Sequence, residues 1–125
     1  MVDAHSFPSR PLPYEDDQHL DRPDICVGTD PFHTPPHLRD AAVHFFEAAG
    51  WRVAVDRPFS GALVPLRFYG TDARVKSVMV EVNRCLYMNE ASGDRLASFD
   101  EVAGRLRKAL GQLTAQTVEL GGALG

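Results

Sequence analysis

A nearly continuous apolar run lies in the second half of the chain and reads Val78-Met79-Val80-Glu81-Val82. Its apolar residues are nearly continuous instead of alternating with polar ones, which is typical of a strand buried on both faces. The stretch therefore predicts the central strand of a sheet. A single carboxyl group interrupts it, and Glu81 must be paired, exposed at the strand end or functionally perturbed.

Shorter strand patterns flank this central strand on its N-terminal side. Apolar runs at 24–28 and 53–55 predict two further strands, and Val2 to Ala4 predicts a strand reduced to a stub. Four prolines and an acidic cluster between Phe7 and Pro23 predict a long surface loop. A further short extended segment is expected at 62–66.

Two helices are predicted between and after these strands. The first opens at Pro35-Pro36 with Thr34 as its N-cap, and the apolar residues after it recur at helical spacing. The second is a long closing helix that follows Ser98 and Glu101, which have the spacing of a capping box. The order of elements predicts an α/β layered fold with a largely parallel sheet, and residues 1–125 form a single domain.

Composition excludes several classes of protein. With 44% hydrophobic and 24% charged residues, the chain of 125 residues is not disordered as a whole, and no apolar run is long enough to span a bilayer. A net charge of −4 without a basic stripe argues against nucleic acid as a partner. The first twenty residues lack the apolar centre of a signal peptide, so we expect a cytoplasmic protein that has no membrane partner. Cys26 and Cys85 are read as small, buried, inert thiols.

Candidate functional residues collect where the predicted strands end. In open α/β sheets, ligands bind outside the carboxyl ends of the strands. This rule selects three groups of residues: Asp3 with His5, Thr29 with Asp30, and Glu81 with Asn83 and Arg84.

Each of these candidates also has an ordinary structural interpretation. A histidine two residues after an aspartate is a weak signal, since such a pair is more often a capping or surface hydrogen bond than a metal ligand with its orienting carboxylate. Glu81 fits a salt bridge with Arg84 as well as it fits a general acid or base in a poorly solvated position. His33 and His37 are separated by two prolines, so a shared metal ion is not expected there.

Three linked strings resemble the N-formylglutamate amidohydrolase family. They are Val2-Asp3-Ala4-His5-Ser6-Phe7-Pro8-Ser9, the segment from Asp24 to Pro35, and the segment from Met79 to Met88. The resemblance also includes residues 61–69 and 75–77, and it covers about residues 2–90 in order. It implies a three-layer α/β fold of the zinc-dependent exopeptidase type. The implied reaction is hydrolysis of N-formyl-L-glutamate, or a similar N-acyl amino acid, to formate and L-glutamate, a step of histidine breakdown.

The resemblance assigns roles to individual residues. His5 matches a zinc-binding histidine, and Asp3 matches the carboxylate that orients the ring of that histidine. Glu81 matches the carboxylate that takes a proton from the zinc-bound water and passes it to the leaving amine. Arg84, Arg67 and Asn83 are the candidate substrate-binding residues, because guanidinium groups bind carboxylates in a bidentate manner.

The same resemblance implies that the chain corresponds only to the C-terminal half of such an enzyme. Further zinc ligands, a histidine and an acidic residue, would then lie in an N-terminal half, and the zinc site of this chain is expected to be incomplete. The alternative function is a non-catalytic, truncated module that binds an amino-acid-like ligand or a partner chain. In either case we expect self-association or pairing with an N-terminal half.

Overall fold

The computed structural model describes residues 1–122, and the side chains of residues 1–119. Four strands form one sheet: β1 (Val2–Phe7), β2 (Ile25–Gly28), β3 (Val53–Val55) and β4 (Val78–Asn83). Two helices complete the fold: α1 (Pro36–Ala48) and α2 (Phe99–Gly122). A short 3₁₀ turn, Arg84–Leu86, follows β4 directly.

The strand order confirms that β4 is central. The order is β1-β4-β2-β3, so β4 is hydrogen-bonded on both sides. Its residues Val78 to Glu81 are all buried. The nearly continuous apolar pattern therefore identified the middle of the sheet correctly.

The prediction of a largely parallel sheet is correct only in part, because the sheet is mixed. β1 pairs with β4 in parallel and β2 pairs with β3 in parallel, whereas β2 and β4 are antiparallel. A parallel arrangement of sequential strands requires a crossover, usually a helix. The connection from β3 to β4 contains no helix, and it brings the chain back so that β4 runs against β2.

Both helices pack on one face of the sheet. That face carries the alternate residues Ile25, Val27, Val78 and Val80 of the two inner strands, and these form one buried cluster with residues of both helices: Leu38, Ala42, Phe46, Val102, Ala109 and Leu113. Within residues 1–122 the fold is therefore an α/β fold with one helical layer. None of the described helices is long and apolar enough to cross a membrane.

Irregular segments, not helices, cover part of the opposite face. The Cys26 thiol donates to the carbonyl oxygen of Phe59 at 3.2 Å, and the Ser77 hydroxyl donates to that of Leu63 at 2.7 Å. The rings of Phe7 and Phe59 meet edge to face, 6.2 Å apart. Burial of β4 on both faces thus arises from helices on one side and the 57–64 segment on the other.

Several predicted boundaries need correction. β1 is not a stub, because it pairs with β4 over all six of its residues. The Thr34 hydroxyl does not cap α1; it donates to the carbonyl oxygen of Ser77 at 2.6 Å. Ser98 precedes α2 as predicted, but its hydroxyl donates to the carbonyl oxygen of Leu86 at 2.7 Å. Residues 62–66 form no strand.

The two cysteines differ from each other. Cys26 is buried on β2, and burial raises the pKa of its thiol to about 11. Cys85 is exposed, contrary to prediction, because it lies in the 3₁₀ turn after β4 and not on the strand.

Candidate functional site

Three predicted site residues lie on the same face of two neighbouring strands. β1 and β4 are parallel and in a register that sets His5 directly beside Glu81 and Asp3 beside Met79. Because side chains alternate between the faces of a strand, Asp3, His5 and Glu81 share the face opposite the helices. The sheet therefore brings Asp3 and His5 together with Glu81, which lies 78 residues after Asp3 in the chain.

The side chains of Asp3 and His5 form a hydrogen-bonded pair. His5 Nε2 lies 2.7 Å from Asp3 Oδ1, and the other carboxylate oxygen, Oδ2, accepts a hydrogen bond from the backbone N–H of Leu63 at 2.9 Å. The carboxylate is thus fixed by the covering segment and in turn fixes the imidazole. Nδ1 is the ring nitrogen of His5 that this pair leaves available. Asp3 stands in the relation to His5 that an orienting carboxylate has to a metal-binding histidine.

Glu81 is a buried residue with an unpaired carboxylate oxygen. The residue is 8% exposed, and its Oε2 atom has no hydrogen-bond partner among the described residues. Burial raises the pKa of its carboxyl group; the charge of Asp3 adds to this effect, while His5 and Arg84 oppose it. A carboxyl group with a raised pKa and an unpaired oxygen is suited to accept and release a proton.

The raised pKa of Glu81 predicts how stability depends on pH. The folded state favours the protonated acid, so its contribution to the free energy of unfolding is present at low pH and is lost as pH rises from the usual value of 4.5 through the folded-state pKa. We therefore expect Glu81→Gln to be more stable than the wild type at pH 7, with a difference that shrinks toward pH 4.

Chemical denaturation of both proteins across this pH range measures that difference. Glu47→Gln, a change at an exposed position of α1, is the matched control. It should leave the pH dependence of the free energy of unfolding as it is in the wild type. A pH-independent difference between Glu81→Gln and the wild type would show that burial does not perturb this carboxyl group.

Asn83 and Arg84 follow Glu81 but have structural partners of their own. The Asn83 side-chain amide donates to the carbonyl oxygen of Pro23 at 3.1 Å, and its oxygen accepts from the backbone N–H of Cys85 at 3.2 Å. Arg84 Nε donates to the hydroxyl of Ser6 at 3.1 Å. No ion pair among the described side chains includes Glu81, so the salt bridge with Arg84, one of the two alternatives for Glu81, is not formed.

Among the described residues, Arg67 is not in contact with the other candidate site residues. Its side chain is exposed, and its guanidinium carbon lies 4.3 Å from the centre of the Phe68 ring. No hydrogen bond or ion pair among the described residues joins it to Asp3, His5 or Glu81.

The described residues do not complete a metal site by themselves. Within residues 1–119 no group of three or more His, Cys, Asp or Glu side chains is placed to hold a metal ion. A catalytic zinc ion normally has three protein ligands and an open position for water. His5, with its ring oriented by Asp3, is a side chain of the type that can bind zinc, and the described residues alone do not fit a complete zinc centre.

His33 has a structural role that occupies both nitrogens of its ring. It is fully buried; its Nδ1 lies 2.7 Å from the carbonyl oxygen of Val75, and its Nε2 accepts a hydrogen bond from the backbone N–H of Gly70 at 2.9 Å. Both ring nitrogens are therefore used to hold the 70–75 segment.

A buried ion pair that was not predicted from the sequence lies in the 8–23 loop. Arg22 and Glu15 lie in the predicted surface loop, yet their side chains are only 1% and 6% exposed and form a salt bridge. Arg22 also donates to the carbonyl oxygen of Pro8 at 3.0 Å, and its guanidinium carbon lies 5.8 Å from the ring centres of both Phe7 and Phe59. The pair ties the loop to the side of the sheet that carries Glu81.

Comparison with known proteins gives a family match and a similar solved structure. The N-formylglutamate amidohydrolase family model matches residues 1–88. The fold is similar to the crystal structure of N-formylglutamate amidohydrolase from Ralstonia eutropha JMP134, with a TM-score of 0.70 and 24% sequence identity. That match covers 96% of this chain and 43% of the other, so this chain spans less than half the length of that structure. A search of curated proteins gave no match.

Proposed function

Because this chain belongs to the N-formylglutamate amidohydrolase family, we propose that it supplies part of the active site of an enzyme that hydrolyses N-formyl-L-glutamate, or a similar N-acyl amino acid, to formate and L-glutamate. The observation that carries the proposal is the buried Glu81, whose Oε2 has no partner among the described residues and which lies beside His5 in the sheet. We further propose that this reaction takes place in the cytoplasm and is a step of histidine breakdown.

In the proposed reaction Glu81 moves a proton twice. As a carboxylate it takes a proton from water, and the water oxygen attacks the carbonyl carbon of the formyl group. The protonated carboxyl then gives its proton to the amide nitrogen as the bond between that nitrogen and the formyl carbon breaks. Formic acid and the free amine of glutamate are released and Glu81 returns to its carboxylate form; the second proton of the water, left on formic acid, passes to the amine or to solvent, which gives formate. The raised pKa supports this role, because burial gives the carboxylate a higher affinity for the proton than an exposed glutamate has.

Substrate binding is proposed for Arg84, Arg67 and Asn83. Glutamate carries two carboxylates, and guanidinium groups recognise carboxylates through paired hydrogen bonds. Arg84 follows Glu81 by three residues, and its contact with Ser6 leaves further N–H donors on the guanidinium. Asn83 lies between Glu81 and Arg84 in the sequence, and its side-chain amide donates a hydrogen bond to the carbonyl oxygen of Pro23.

The proposed cofactor is zinc, bound in a site to which this chain contributes His5. The described residues do not complete that site, and this chain spans less than half of the related structure. In the proposed complete enzyme, the remaining ligands and the rest of a three-layer, zinc-exopeptidase-like fold come from an N-terminal half. Asp3 keeps the His5 ring in place.

This proposal predicts weak zinc binding by the chain on its own. One histidine ligand does not compensate for the water molecules that the ion loses, so zinc should be removed by dialysis at neutral pH. Mixing with a matching N-terminal half from a full-length relative should give stoichiometric zinc that is lost with His5→Ala and kept with His44→Ala, a control at an exposed position of α1. Metal analysis after dialysis measures both.

The opposite result would contradict the ligand assignment. A stoichiometric zinc ion retained by the isolated chain would show that further ligands are present within it, with Asp30, His33 and Glu81 the first to test. Zinc retained by the mixed assembly with His5→Ala would remove His5 from the site.

The alternative is a non-catalytic module that binds an amino-acid-like ligand or a partner chain. The observation that favours it is the lack of a three-ligand metal cluster among the described residues. Formate release by the mixed assembly separates the two functions, because a binding module would take up the partner without releasing formate.

A further inference from the structure

The chain contains two aspartate–histidine pairs that differ in what holds the aspartate. In each pair the histidine follows the aspartate by two residues, and a ring nitrogen lies close to one carboxylate oxygen: 2.7 Å for Asp3 with His5 and 2.9 Å for Asp17 with His19. The second oxygen of Asp3 accepts a hydrogen bond from the backbone N–H of Leu63 at 2.9 Å. Among the described residues, no such bond is formed by the second oxygen of Asp17. The Asp3 pair is therefore tied to a segment 60 residues away in the chain.

Leu63 is held in place by its backbone and not by its side chain. The residue is 64% exposed, so burial contributes little to its position. Its carbonyl oxygen accepts a hydrogen bond from the Ser77 hydroxyl at 2.7 Å, and its N–H is the group that binds Asp3. Gly61 and Val64 anchor the segment on either side, through a backbone hydrogen bond and a buried side chain, but neither contact involves the polar groups of Leu63. Ser77 thus anchors the same residue that holds the Asp3 carboxylate.

Ser77 is itself fixed by several hydrogen bonds. It is fully buried directly before β4; its N–H donates to the carbonyl oxygen of His33 at 3.0 Å, and its carbonyl oxygen accepts from the Thr34 hydroxyl at 2.6 Å. The turn that supplies both contacts is held in turn by the Asp30 carboxylate, which accepts from the backbone N–H of His33 at 2.9 Å. The Ser77 hydroxyl therefore extends from a position that the sheet and this turn determine.

We propose that Ser77 is a positioning residue for His5. Its hydroxyl holds the backbone of Leu63, whose N–H holds the Asp3 carboxylate, and that carboxylate orients the imidazole ring. Because a carboxylate only accepts hydrogen bonds, the ring nitrogen that faces it, Nε2, carries a proton, and Nδ1 is the nitrogen with a free electron pair. A ring without this support can turn, and its nitrogens can exchange these roles.

The proposed role gives the irregular 57–66 segment a part in the candidate site. Side chains in binding and catalytic sites must be held within about 0.5 Å and about 10–20° of their working positions, and hydrogen bonds from the surrounding residues supply that precision. Through Leu63, this segment transmits order from the residue before β4 to the side chains of β1. The role rests on the proposed function only for the use made of the free nitrogen of His5, because all of these hydrogen bonds lie within this chain.

Hydrogen exchange measured by NMR on the full chain tests this role. Neither zinc nor substrate is needed, so its failure is distinguishable from a failure of the proposed reaction. At one fixed pH near neutrality, the His5 Nε2 proton and the Leu63 amide proton should be protected in the wild type. Ser77→Ala should accelerate the exchange of both by about tenfold, the change expected for the loss of one hydrogen bond, and should shift the ring nitrogen resonances of His5. The ring resonances of His19 are a reference within the same molecule and should not shift.

Ser98→Ala is the matched control. The Ser98 hydroxyl donates to the carbonyl oxygen of Leu86 at 2.7 Å, which is the same type of bond at the same length as the one from Ser77. Both variants should lower the free energy of unfolding by similar amounts, but Ser98→Ala should leave the His5 and Leu63 protons as protected as in the wild type. Ser77→Cys keeps a weak donor of similar shape and should give a smaller acceleration than Ser77→Ala; it also serves as the test if Ser77→Ala does not fold.

A double variant tests whether Ser77 acts through Asp3. In an Asp3→Ala background, adding Ser77→Ala should not shift the ring nitrogens of His5 any further. A further shift there, or an effect of Ser98→Ala as large as that of Ser77→Ala, would show general loosening of the fold and overturn the proposal. An unprotected His5 proton in the wild type, or protection that the Ser77 variants leave unchanged, would also overturn it.

Discussion

Arg22→Met should lower the free energy of unfolding by about 3–5 kcal/mol, the range expected when one member of a buried ion pair is removed. The Glu15 carboxylate is then left buried without its partner, since both side chains are nearly inaccessible in the wild type. The change also removes the hydrogen bonds from Arg22 to the carbonyl oxygens of Pro8 and Asp17. Chemical denaturation followed by circular dichroism measures the loss.

A double variant separates the cost of an unpaired charge from the loss of packing. Replacing both partners, as Glu15→Leu with Arg22→Met, leaves no buried charge and should recover most of the lost stability. Arg39→Met breaks an exposed pair with Asp40 and should change stability little. If Arg22→Met behaved like Arg39→Met, the 8–23 loop would not be anchored by this pair.

Glu81→Gln should reduce turnover of N-formylglutamate by about 10²- to 10⁴-fold in the enzyme completed by a matching N-terminal half, the range expected for loss of a general base. The amide has nearly the same shape as the acid but cannot accept the proton from water. Zinc content should be unchanged, because the role assigned to Glu81 is proton transfer. Steady-state formate release together with metal analysis measures both quantities.

A matched control and the stability measurements make this loss interpretable. Glu47→Gln changes the same residue type at an exposed position of α1 and should retain full turnover. Glu81→Gln is expected to fold at least as well as the wild type at pH 7, so misfolding would not account for lost activity. A variant that kept near-full turnover would make Glu81 a structural residue.

The sequence could predict the central strand and the unusual carboxyl group within it. The apolar run from Val78 to Val82 is a local pattern, and a charge inside it is conspicuous whatever the surrounding fold. The motif that contains Asp3 and His5 was also recognisable, and the structure places both residues beside β4. These features depend on short stretches of sequence.

Features that depend on distant parts of the chain could not be predicted. Strand direction has no signal in the alternation of side chains, so the antiparallel pairing of β2 with β4 was missed. The full length of β1 depends on its pairing with β4, in which each residue of β1 lies beside the residue 76 positions later in the chain. The burial of Arg22 depends on Phe7 and Phe59, which no pattern in the 8–23 loop indicates.

The central claim is that this chain supplies the proton-transferring carboxylate and a metal-binding histidine of an N-formylglutamate hydrolase. Formate release from N-formylglutamate, measured on the purified assembly of this chain with a matching N-terminal half, tests it most directly. We expect formate release to depend on both parts, to appear together with zinc uptake, and to be absent from either part alone. An assembly that forms and holds zinc but releases no formate would contradict it.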